Sequence, residues 1–295
     1  MAIACGGSPQ AAHPYPKSGL VLLSLKDGAV LGSAAVGSDP VAVIVADDGK
    51  TAYVADSSPG DVYAVRLPGL HQAWKRHVGG SPFGLLLHQG SLFVSLFAGS
   101  GVVELDPTNG AQLATYKVPA GPAVISLDEK DRVVVAGTRG QVTYLDGTQL
   151  PAGTGYAVAM AGGSMWTEDY ERAELVRVPD GRRVGLPLPV FPFWLAPGGP
   201  GRLLISAEGG NEDDDSGGVF SLDIGSETFT TLARPRDPDQ VLEYGTKVLV
   251  AAHGDREVLA IDGEKISVWA SAIPAVALAA DAALNLLAVV VNDHE

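Results

Sequence analysis

The sequence is poor in cysteine, in basic residues and in long apolar runs. Its 295 residues include one cysteine, and 20 Lys and Arg stand against 34 Asp and Glu, for a formal net charge of −14. A single cysteine cannot form an internal disulfide or supply a cysteine-based zinc site. The shortage of clustered positive charge excludes a surface that displaces counterions from nucleic acid, and it argues equally against an anionic membrane surface.

No apolar run reaches the roughly 18 residues that a membrane-spanning helix needs. The longest candidate, Ala275 to Val291, is interrupted by Asp281 and Asn285, so we predict no transmembrane segment. Helical periodicity is also missing, whereas 37 Gly and 20 Pro require many turns. Because 46% of the residues are hydrophobic, the chain has enough apolar surface for a core. Short strands separated by turns are therefore the expected elements.

A unit of about 40 residues recurs along the chain, which is a length typical of propeller blades. The segment from Asp39 to Gly80 shows four short stretches rich in Val, Tyr and Ala, separated by turns of Asp, Gly and Pro. A proline opens the first strand of most units, where no interior hydrogen bond of the ladder is lost. These prolines are Pro40, Pro82, Pro122, Pro192, Pro238 and Pro274. A unit without the proline is expected to begin near Gly155 and Tyr156.

The last unit holds only two strands, from Pro274 to Val291. Two N-terminal segments, GLVLLSL and AVLGSAAVG, have the character of the missing pair. Pairing N-terminal with C-terminal strands would close the ring and remove two exposed edges. We therefore predict an all-β, seven-bladed β-propeller with four-stranded antiparallel blades. Residues 1–18 are expected to be a flexible tail and residues 19–295 a single propeller domain, which we predict to be a monomer.

Two segments resemble known families. Tyr53 to Asp56, the last four residues of TAYVAD, closely resemble the repeat of the YVTN-type seven-bladed propellers, a group of bacterial and archaeal, mostly surface or periplasmic proteins. The segment GSMWTE, from Gly163 to Glu168, resembles a blade strand of the streptogramin lyases and gluconolactonase-like hydrolases. No catalytic His and Glu set of those enzymes matches this chain. The YVTN resemblance implies a location outside the cytoplasm, in the periplasm or at the cell surface.

The N-terminal segment supports two interpretations. Small residues precede Cys5 in AIACGGS, which resembles the end of a bacterial lipoprotein signal, and Gly6 to Lys17 has the composition of a polar tether. The charged and hydrophobic regions of such a signal do not precede Cys5 in this sequence. The sequence is compatible both with a lipid anchor at Cys5 and with an ordinary cysteine in a tail.

One face of the predicted propeller carries most of the chemistry-bearing residues. Loops that join second to third strands, and loops that join blades, surround the axial channel on the same face. The residues predicted to bind a ligand there are Asp56, Phe97, Trp166, Glu168, Asp169, Phe193, Trp194 and His253. Aromatic rings can stack on a flat or sugar-like ligand, while ordinary packing between blades would explain the same rings.

The most acidic of these loops runs from Glu208 to Asp215. Carboxylates mixed with Asn and flexible Gly suit calcium, which takes six to eight oxygen ligands. The predicted calcium ligands are Glu208, Asn211, Asp213 and Asp215. The alternative is a solvated loop whose like charges repel one another.

Two functional hypotheses follow from this face. The leading one is a non-catalytic propeller that binds a protein or a small molecule on its acidic, aromatic surface. The alternative is a metal-assisted lactonase, related hydrolase or lyase at the axial channel, with His253, Asp255 and Glu208 as the candidate catalytic residues, because imidazole and carboxylate groups exchange protons near neutral pH. Fold alone cannot separate the two. Convergence of three or more such side chains would favour the enzyme.

Overall fold

A computed structural model describes residues 15–188, 190–209 and 217–293 of the chain. These residues form 28 β-strands and no helix. The strands make seven separate four-stranded sheets, so the predicted seven-bladed β-propeller is confirmed. Within the described ranges, no helix is long and apolar enough to cross a membrane.

The strands are short and evenly distributed along the chain. The first six are β1 (Ser18–Ser24), β2 (Val30–Ala35), β3 (Pro40–Val45), β4 (Thr51–Asp56), β5 (Asp61–Arg66) and β6 (His71–His77). The next eight are β7 (Pro82–His88), β8 (Ser91–Leu96), β9 (Gly101–Leu105), β10 (Gln112–Lys117), β11 (Pro122–Leu127), β12 (Val133–Gly137), β13 (Gln141–Tyr144) and β14 (Gln149–Pro151). They are followed by β15 (Val158–Ala161), β16 (Ser164–Asp169), β17 (Glu174–Val178), β18 (Arg183–Gly185), β19 (Phe191–Pro197), β20 (Arg202–Glu208), β21 (Gly218–Asp223) and β22 (Thr228–Ala233). The last six are β23 (Pro238–Tyr244), β24 (Lys247–Ala252), β25 (Glu257–Asp262), β26 (Lys265–Ser271), β27 (Ala275–Asp281) and β28 (Leu286–Asn292).

The N-terminal strands complete the last blade, as the sequence predicts. Blades 1 to 6 each take four consecutive strands from β3 to β26, whereas blade 7 has the order β2, β1, β28, β27. Strand β1 pairs with β28 without a break in register, from Ser18 opposite Asn292 to Ser24 opposite Leu286. Each blade's first strand contacts the first strand of the next blade, and β27 of blade 7 contacts β3 of blade 1. The ring is thereby closed, and β1 covers the edge of β28 that a two-stranded last unit would leave exposed.

Most inner strands begin where the prolines predict. Pro82, Pro122 and Pro238 are the first residues of their strands, as Pro40 is in blade 1. The blade without the proline begins at Val158, close to the predicted point. A β-bulge follows the proline in several of these strands.

The core lies between neighbouring blades. The second strands are almost completely buried, as the patterns of β4 and β28 show, because each packs on blades at both of its faces. The outer strands, such as β6, are mostly exposed. Burying one large aliphatic side chain contributes roughly 1.5–3 kcal/mol. This division explains the low charged fraction of the chain, since only the outer strands and the turns face solvent.

Candidate functional site

The inner strands leave a small cavity around the propeller axis. It has a volume of about 90 Å³ and is lined from five blades, by Val43, Leu85, Val124, Trp194 and Gln240 among others. Gln240 is fixed by its side-chain oxygen, which accepts a hydrogen bond of 2.7 Å from the backbone N–H of Leu278 in the next blade. The channel interior is therefore narrow and largely apolar, so a ligand of ordinary size must bind at its mouth.

Six half-buried aromatic rings form a continuous row at that mouth, which we call the aromatic wall. Its members are Phe83, Phe97, Tyr156, Tyr170, Phe191 and Phe193. Neighbouring ring centroids lie 4.9 to 6.2 Å apart. Aromatic pairs at such distances stabilise one another by about 0.5–1.5 kcal/mol. Because every ring stays partly exposed, the aromatic wall also offers apolar area to a ligand.

The positions of these rings are set by where the chain enters the inner strand of each blade. Phe83 and Phe193 each follow the proline at the start of an inner strand, at the bulge described above. Tyr156 precedes the inner strand of the blade that lacks this proline. It lies 5.5 Å from Phe193 and 6.1 Å from Phe83, centroid to centroid, and so joins blade 2 to blade 5 across the mouth.

A group of four ionisable side chains lies beside the aromatic wall, and we call it the carboxylate–histidine cluster. It consists of Glu208, Asp237, Asp239 and His253. One carboxylate oxygen from each of the three acids lies within 4.8 Å of the other two. His253 Nδ1 is 3.2 Å from Asp237 Oδ2 and 3.9 Å from Asp239 Oδ2. Its Nε2 is 3.1 Å from the backbone oxygen of Asn292. Since both ring nitrogens face acceptors, the geometry favours the imidazolium form.

The cluster holds protons more tightly than isolated side chains do. Burial, together with the charge of Asp237, raises the pKa of Glu208 to about 7. Burial and the neighbouring acids raise the pKa of Asp239 well above its usual value. The hydrogen bond to Asp237 raises the pKa of His253 to about 9, helped by the charge of Asp239. Three carboxylates share one imidazolium, so the cluster is short of positive charge.

Tyr170 connects the aromatic wall to the cluster. Its hydroxyl donates a hydrogen bond of 3.1 Å to Glu208 Oε2, while its ring stacks on Phe191 at 4.9 Å. Burial and the charge of Glu208 raise the pKa of Tyr170 to about 12, so the hydroxyl stays protonated and keeps donating. The aromatic wall and the carboxylate–histidine cluster are therefore joined by this hydrogen bond.

The backbone conformation of Asp237 is a feature of the turns between blades and is not special to the site. Asp237 has a φ of 43°, and the residues before the inner-strand proline in blades 2 and 3, Ser81 and Gly121, also have positive φ, 55° and 81°. This conformation is thus a recurring turn between blades. Gly254 allows the loop of His253 to approach it, because a Cβ there would lie 2.9 Å from Cβ of Asp237.

The structure brings some of the residues predicted from the sequence to this mouth. Glu208 and His253 belong to the carboxylate–histidine cluster, Phe97 and Phe193 belong to the aromatic wall, and Trp194 lines the cavity on the axis. Asp255 points elsewhere: its carboxylate accepts hydrogen bonds of 2.9 Å from the backbone N–H and Nε of Arg236. The candidate catalytic set His253, Asp255 and Glu208 is therefore not assembled as a unit.

Other predicted ligand residues have structural partners. Asp56 Oδ1 accepts the backbone N–H groups of Ser38 and Asp39, at 3.0 and 2.6 Å, and Glu168 does the same for the loop that precedes its own blade. Asp169 pairs with Arg183 at 2.7 Å. Trp166 is 1% exposed and packs in the core between blades 4 and 5.

Several predictions lie outside the described residues. These are the calcium ligands Asn211, Asp213 and Asp215, and the lipid anchor at Cys5, which stay predictions. Asp237 and Asp239 belong to a loop between blades on the predicted channel face, but they are not among the residues predicted to form the site. The signal that would have found them is the Asp-Pro-Asp triplet at the start of β23, where two acids flank an inner-strand proline at the channel mouth.

Comparisons with known proteins identify the fold but no family. No protein-family model matches the chain, and no curated protein sequence does. Streptogramin B lyase superposes with a TM-score of 0.73 at 11% identity, over 92% of this chain and 97% of that one. The WD40 domain of Neurospora crassa Pan2 superposes with a TM-score of 0.68 at 9% identity, over 88% of this chain and 90% of that one. BamB from Moraxella catarrhalis superposes with a TM-score of 0.58 at 16% identity, over 95% of this chain and 94% of that one. Identities this low show the β-propeller alone, so membership of the YVTN family stays a prediction.

Proposed function

We propose that this protein binds a small organic cation at the channel mouth, with the ligand's apolar body on the aromatic wall and its positive group at the carboxylate–histidine cluster. One observation carries the proposal: the wall runs directly into the cluster through the hydrogen bond from Tyr170 to Glu208. A ligand that matches both surfaces needs an apolar ring and a positive charge next to each other.

The charge balance supports a cation rather than an anion. Glu208, Asp237 and Asp239 outnumber His253, and burial together with the charge of Asp237 raises the pKa of Glu208, so a proton on Glu208 offsets part of this negative charge. A ligand's ammonium group would replace that proton as the counter-charge. Aromatic faces attract such cations by about 0.5–2 kcal/mol, most strongly when water is excluded.

The test uses benzyltrimethylammonium as the probe, with benzyl alcohol and benzoate as uncharged and anionic comparisons of the same ring. Isothermal titration calorimetry at pH 7.5 should detect the cation and give much weaker binding for the other two. Glu208→Gln and Tyr156→Ala should each weaken binding by about tenfold, the equivalent of ~1.4 kcal/mol. Asp255→Asn, in the same loop as His253 but outside the cluster, is the matched control and should bind like the wild type. Equal affinity for all three compounds would refute the proposal.

A second candidate function rests on the convergence of the three carboxylates with His253. A divalent cation could be held by one oxygen from each of Glu208, Asp237 and Asp239. Beside such a cation, the His253 imidazolium, whose Nδ1 lies 3.2 Å from Asp237 Oδ2, is suited to donate a proton. This set could support a metal-assisted hydrolase or lyase, although Asp255 takes no part in it.

Thermal unfolding with calcium or magnesium separates the two candidates. A cation that binds only the folded protein must raise the midpoint, by an amount equivalent to ~2.7 kcal/mol at a hundred times its dissociation constant. Asp239→Asn should abolish the rise, while Asp255→Asn should preserve it. An unchanged midpoint at millimolar calcium and magnesium would exclude the metal-assisted function and leave the organic-cation proposal standing.

A further inference from the structure

A second cavity lies on the opposite face of the propeller, between blades 3 and 4. Its volume is about 280 Å³, and its inner surface is formed by Tyr144, Leu150, Met160, Met165 and Val178. These residues come from the third and fourth strands of blade 3 and from the first three strands of blade 4. The turns at this end of the blades are the ones that do not face the channel mouth, so this cavity is separate from the site described above.

At two other seams between blades a tryptophan covers the glycine of the neighbouring turn, and no such ring covers the turn glycine here. In blade 1 the outer strand carries Trp74, whose ring packs on Gly110 of the next blade, where an added Cβ would lie 2.8 Å away. In blade 6 Trp269 covers Gly28, where an added Cβ would lie 2.6 Å from Cβ of Trp269 and 2.8 Å from Cγ of its ring. Gly181 holds the corresponding turn position in blade 4, and a Cβ there would meet nothing within 4 Å.

Strand length accounts for the difference. The outer strand of blade 3, β14, has three residues, whereas the outer strands that carry Trp74 and Trp269 have seven each. The position that would carry the ring therefore falls in the turn before β14. The neighbouring glycine Gly163 also has no atom within 4 Å of an added Cβ, so this seam stays open at its rim.

One wall of the cavity presents a fixed hydrogen-bond donor. The guanidinium of Arg132 lies 4.2 Å above the ring of Tyr144, and its Nε and Nη2 bind Asp128 at 2.9 and 2.7 Å. Asp128 is itself held by the backbone N–H groups of Lys130 and Arg132, both at 2.9 Å. The Arg132 side chain is 50% exposed, so part of its guanidinium stays accessible at the cavity wall.

We propose that this cavity binds an uncharged, flat molecule of about two fused rings that carries a carbonyl oxygen, with the rings on Met160 and Met165 and the oxygen on Arg132. The size follows from the volume, since a cavity of roughly 150 Å³ holds benzene. The lack of charge follows from Asp128, which already neutralises Arg132, and from the exposed Glu129 on the rim, which disfavours an anion. Thioether side chains adapt to flat ring systems.

The probe for this site is 6-propionyl-2-dimethylaminonaphthalene, an uncharged two-ring ketone whose emission shifts to the blue in apolar surroundings. We expect saturable binding with a blue shift, and weaker binding for the anionic two-ring probe 1-anilinonaphthalene-8-sulfonate. Leu150→Trp places an indole on the cavity wall and should lower the affinity for the ketone at least tenfold. Ile266→Trp, on the exposed outer strand of blade 6, adds the same ring elsewhere and should have no effect.

Two further variants assign the contacts. Arg132→Lys keeps the charge beside Asp128 but removes the planar donor, so the affinity should fall about tenfold, as for one lost hydrogen bond to a charged group. Tyr156→Ala, which alters the aromatic wall at the channel mouth, should leave the affinity unchanged. Loss of binding in Tyr156→Ala, full binding in Leu150→Trp, or no saturable blue shift in the wild type would each overturn the proposal.

Discussion

Blades 4 and 5 each carry a glutamate near the end of the second strand, and the two side chains have different roles. Glu168 is completely buried, and its Oε1 accepts the backbone N–H groups of Tyr156 and Ala157, both at 2.6 Å. Glu208 is partly exposed and receives the hydroxyl of Tyr170 at 3.1 Å instead. The first glutamate fixes the loop that precedes its blade, whereas the second faces the channel mouth.

This difference shows that position in the repeat does not decide the role of a side chain. Asp56 in blade 1 behaves like Glu168, since it also accepts two N–H groups of the preceding loop. In the described residues no backbone N–H donates to Glu208, so its carboxylate is left to the cluster with Asp237 and Asp239. The path of the loop between blades therefore determines whether the carboxylate is structural or available to a ligand.

The largest expected effect comes from removing the structural carboxylate. Glu168→Ala leaves two buried N–H groups without acceptors, and each costs about 1–3 kcal/mol. Urea unfolding should therefore show a loss of several kcal/mol, or roughly 2–4 °C in the thermal midpoint for each kcal/mol. Glu208→Ala should cost much less, because it removes no acceptor from the backbone.

Glu168→Gln is the matched control for that prediction. The amide oxygen of glutamine can accept the same two N–H groups, so most of the stability should return. If Glu168→Ala and Glu208→Ala destabilise the protein equally, the distinction between the two glutamates is wrong.

The two glutamates and His253 predict that stability falls as pH rises. Burial raises the pKa of Glu168 to about 8 and that of Glu208 to about 7, and the hydrogen bond to Asp237 raises the pKa of His253 to about 9. Between about pH 4.5 and 9 the folded protein therefore binds more protons than the unfolded chain, so the free energy of unfolding decreases with pH. Thermal midpoints should therefore fall from pH 5 to pH 9, by roughly 2–4 °C for each kcal/mol of stability lost.

Glu208→Gln separates the contribution of the cluster from that of Glu168. The variant cannot ionise at this position, so its midpoint relative to the wild type should rise between pH 5 and 7 and then stay level. Asp255→Asn serves as the control and should keep the wild-type slope over that range. A wild-type midpoint that increases from pH 5 to pH 8 would contradict the assignment of raised pKa values.

Much of the fold is local in the sequence and could be predicted. The inner-strand prolines fix φ at strand starts, and the repeated turns of Asp and Gly separate strands of similar length, so the spacing alone gives seven blades. The closure by β1 and β2 was also predictable, because the two-stranded last unit requires partners. The blade without its proline could be located only approximately, since no single residue marks its start at Val158.

The site was harder to predict because its members come from different loops. Asp255 is two residues from His253 in sequence but binds Arg236, whereas Asp237 is 16 residues away and lies 3.2 Å from the imidazole. The reason is the turn between blades: the backbone oxygen of Asp237 accepts the N–H of His253 at 3.1 Å and brings the two side chains together. Asp56 is the opposite case. It belongs to a recognisable sequence motif and was predicted to bind a ligand, but its carboxylate accepts a backbone N–H of the preceding loop.

The smallest expected effect tests the connection between the aromatic wall and the cluster. Tyr170→Phe keeps the ring that stacks on Phe191 but removes the hydrogen bond that lowers the pKa of Glu208. At pH 7 less of Glu208 should be ionised, so the affinity for benzyltrimethylammonium should fall about threefold, within the ~0.5–1.5 kcal/mol of one hydrogen bond.

The pH dependence of that loss identifies its cause. At pH 9 Glu208 should be largely ionised in both proteins, so the difference between wild type and Tyr170→Phe should shrink. Tyr116→Phe removes a similar hydrogen bond of 2.7 Å, from Tyr116 to Glu104 in blade 2, and should not affect binding at either pH. A loss of the same size at pH 7 and pH 9 would mean that Tyr170 acts on the ligand directly and not through the charge of Glu208.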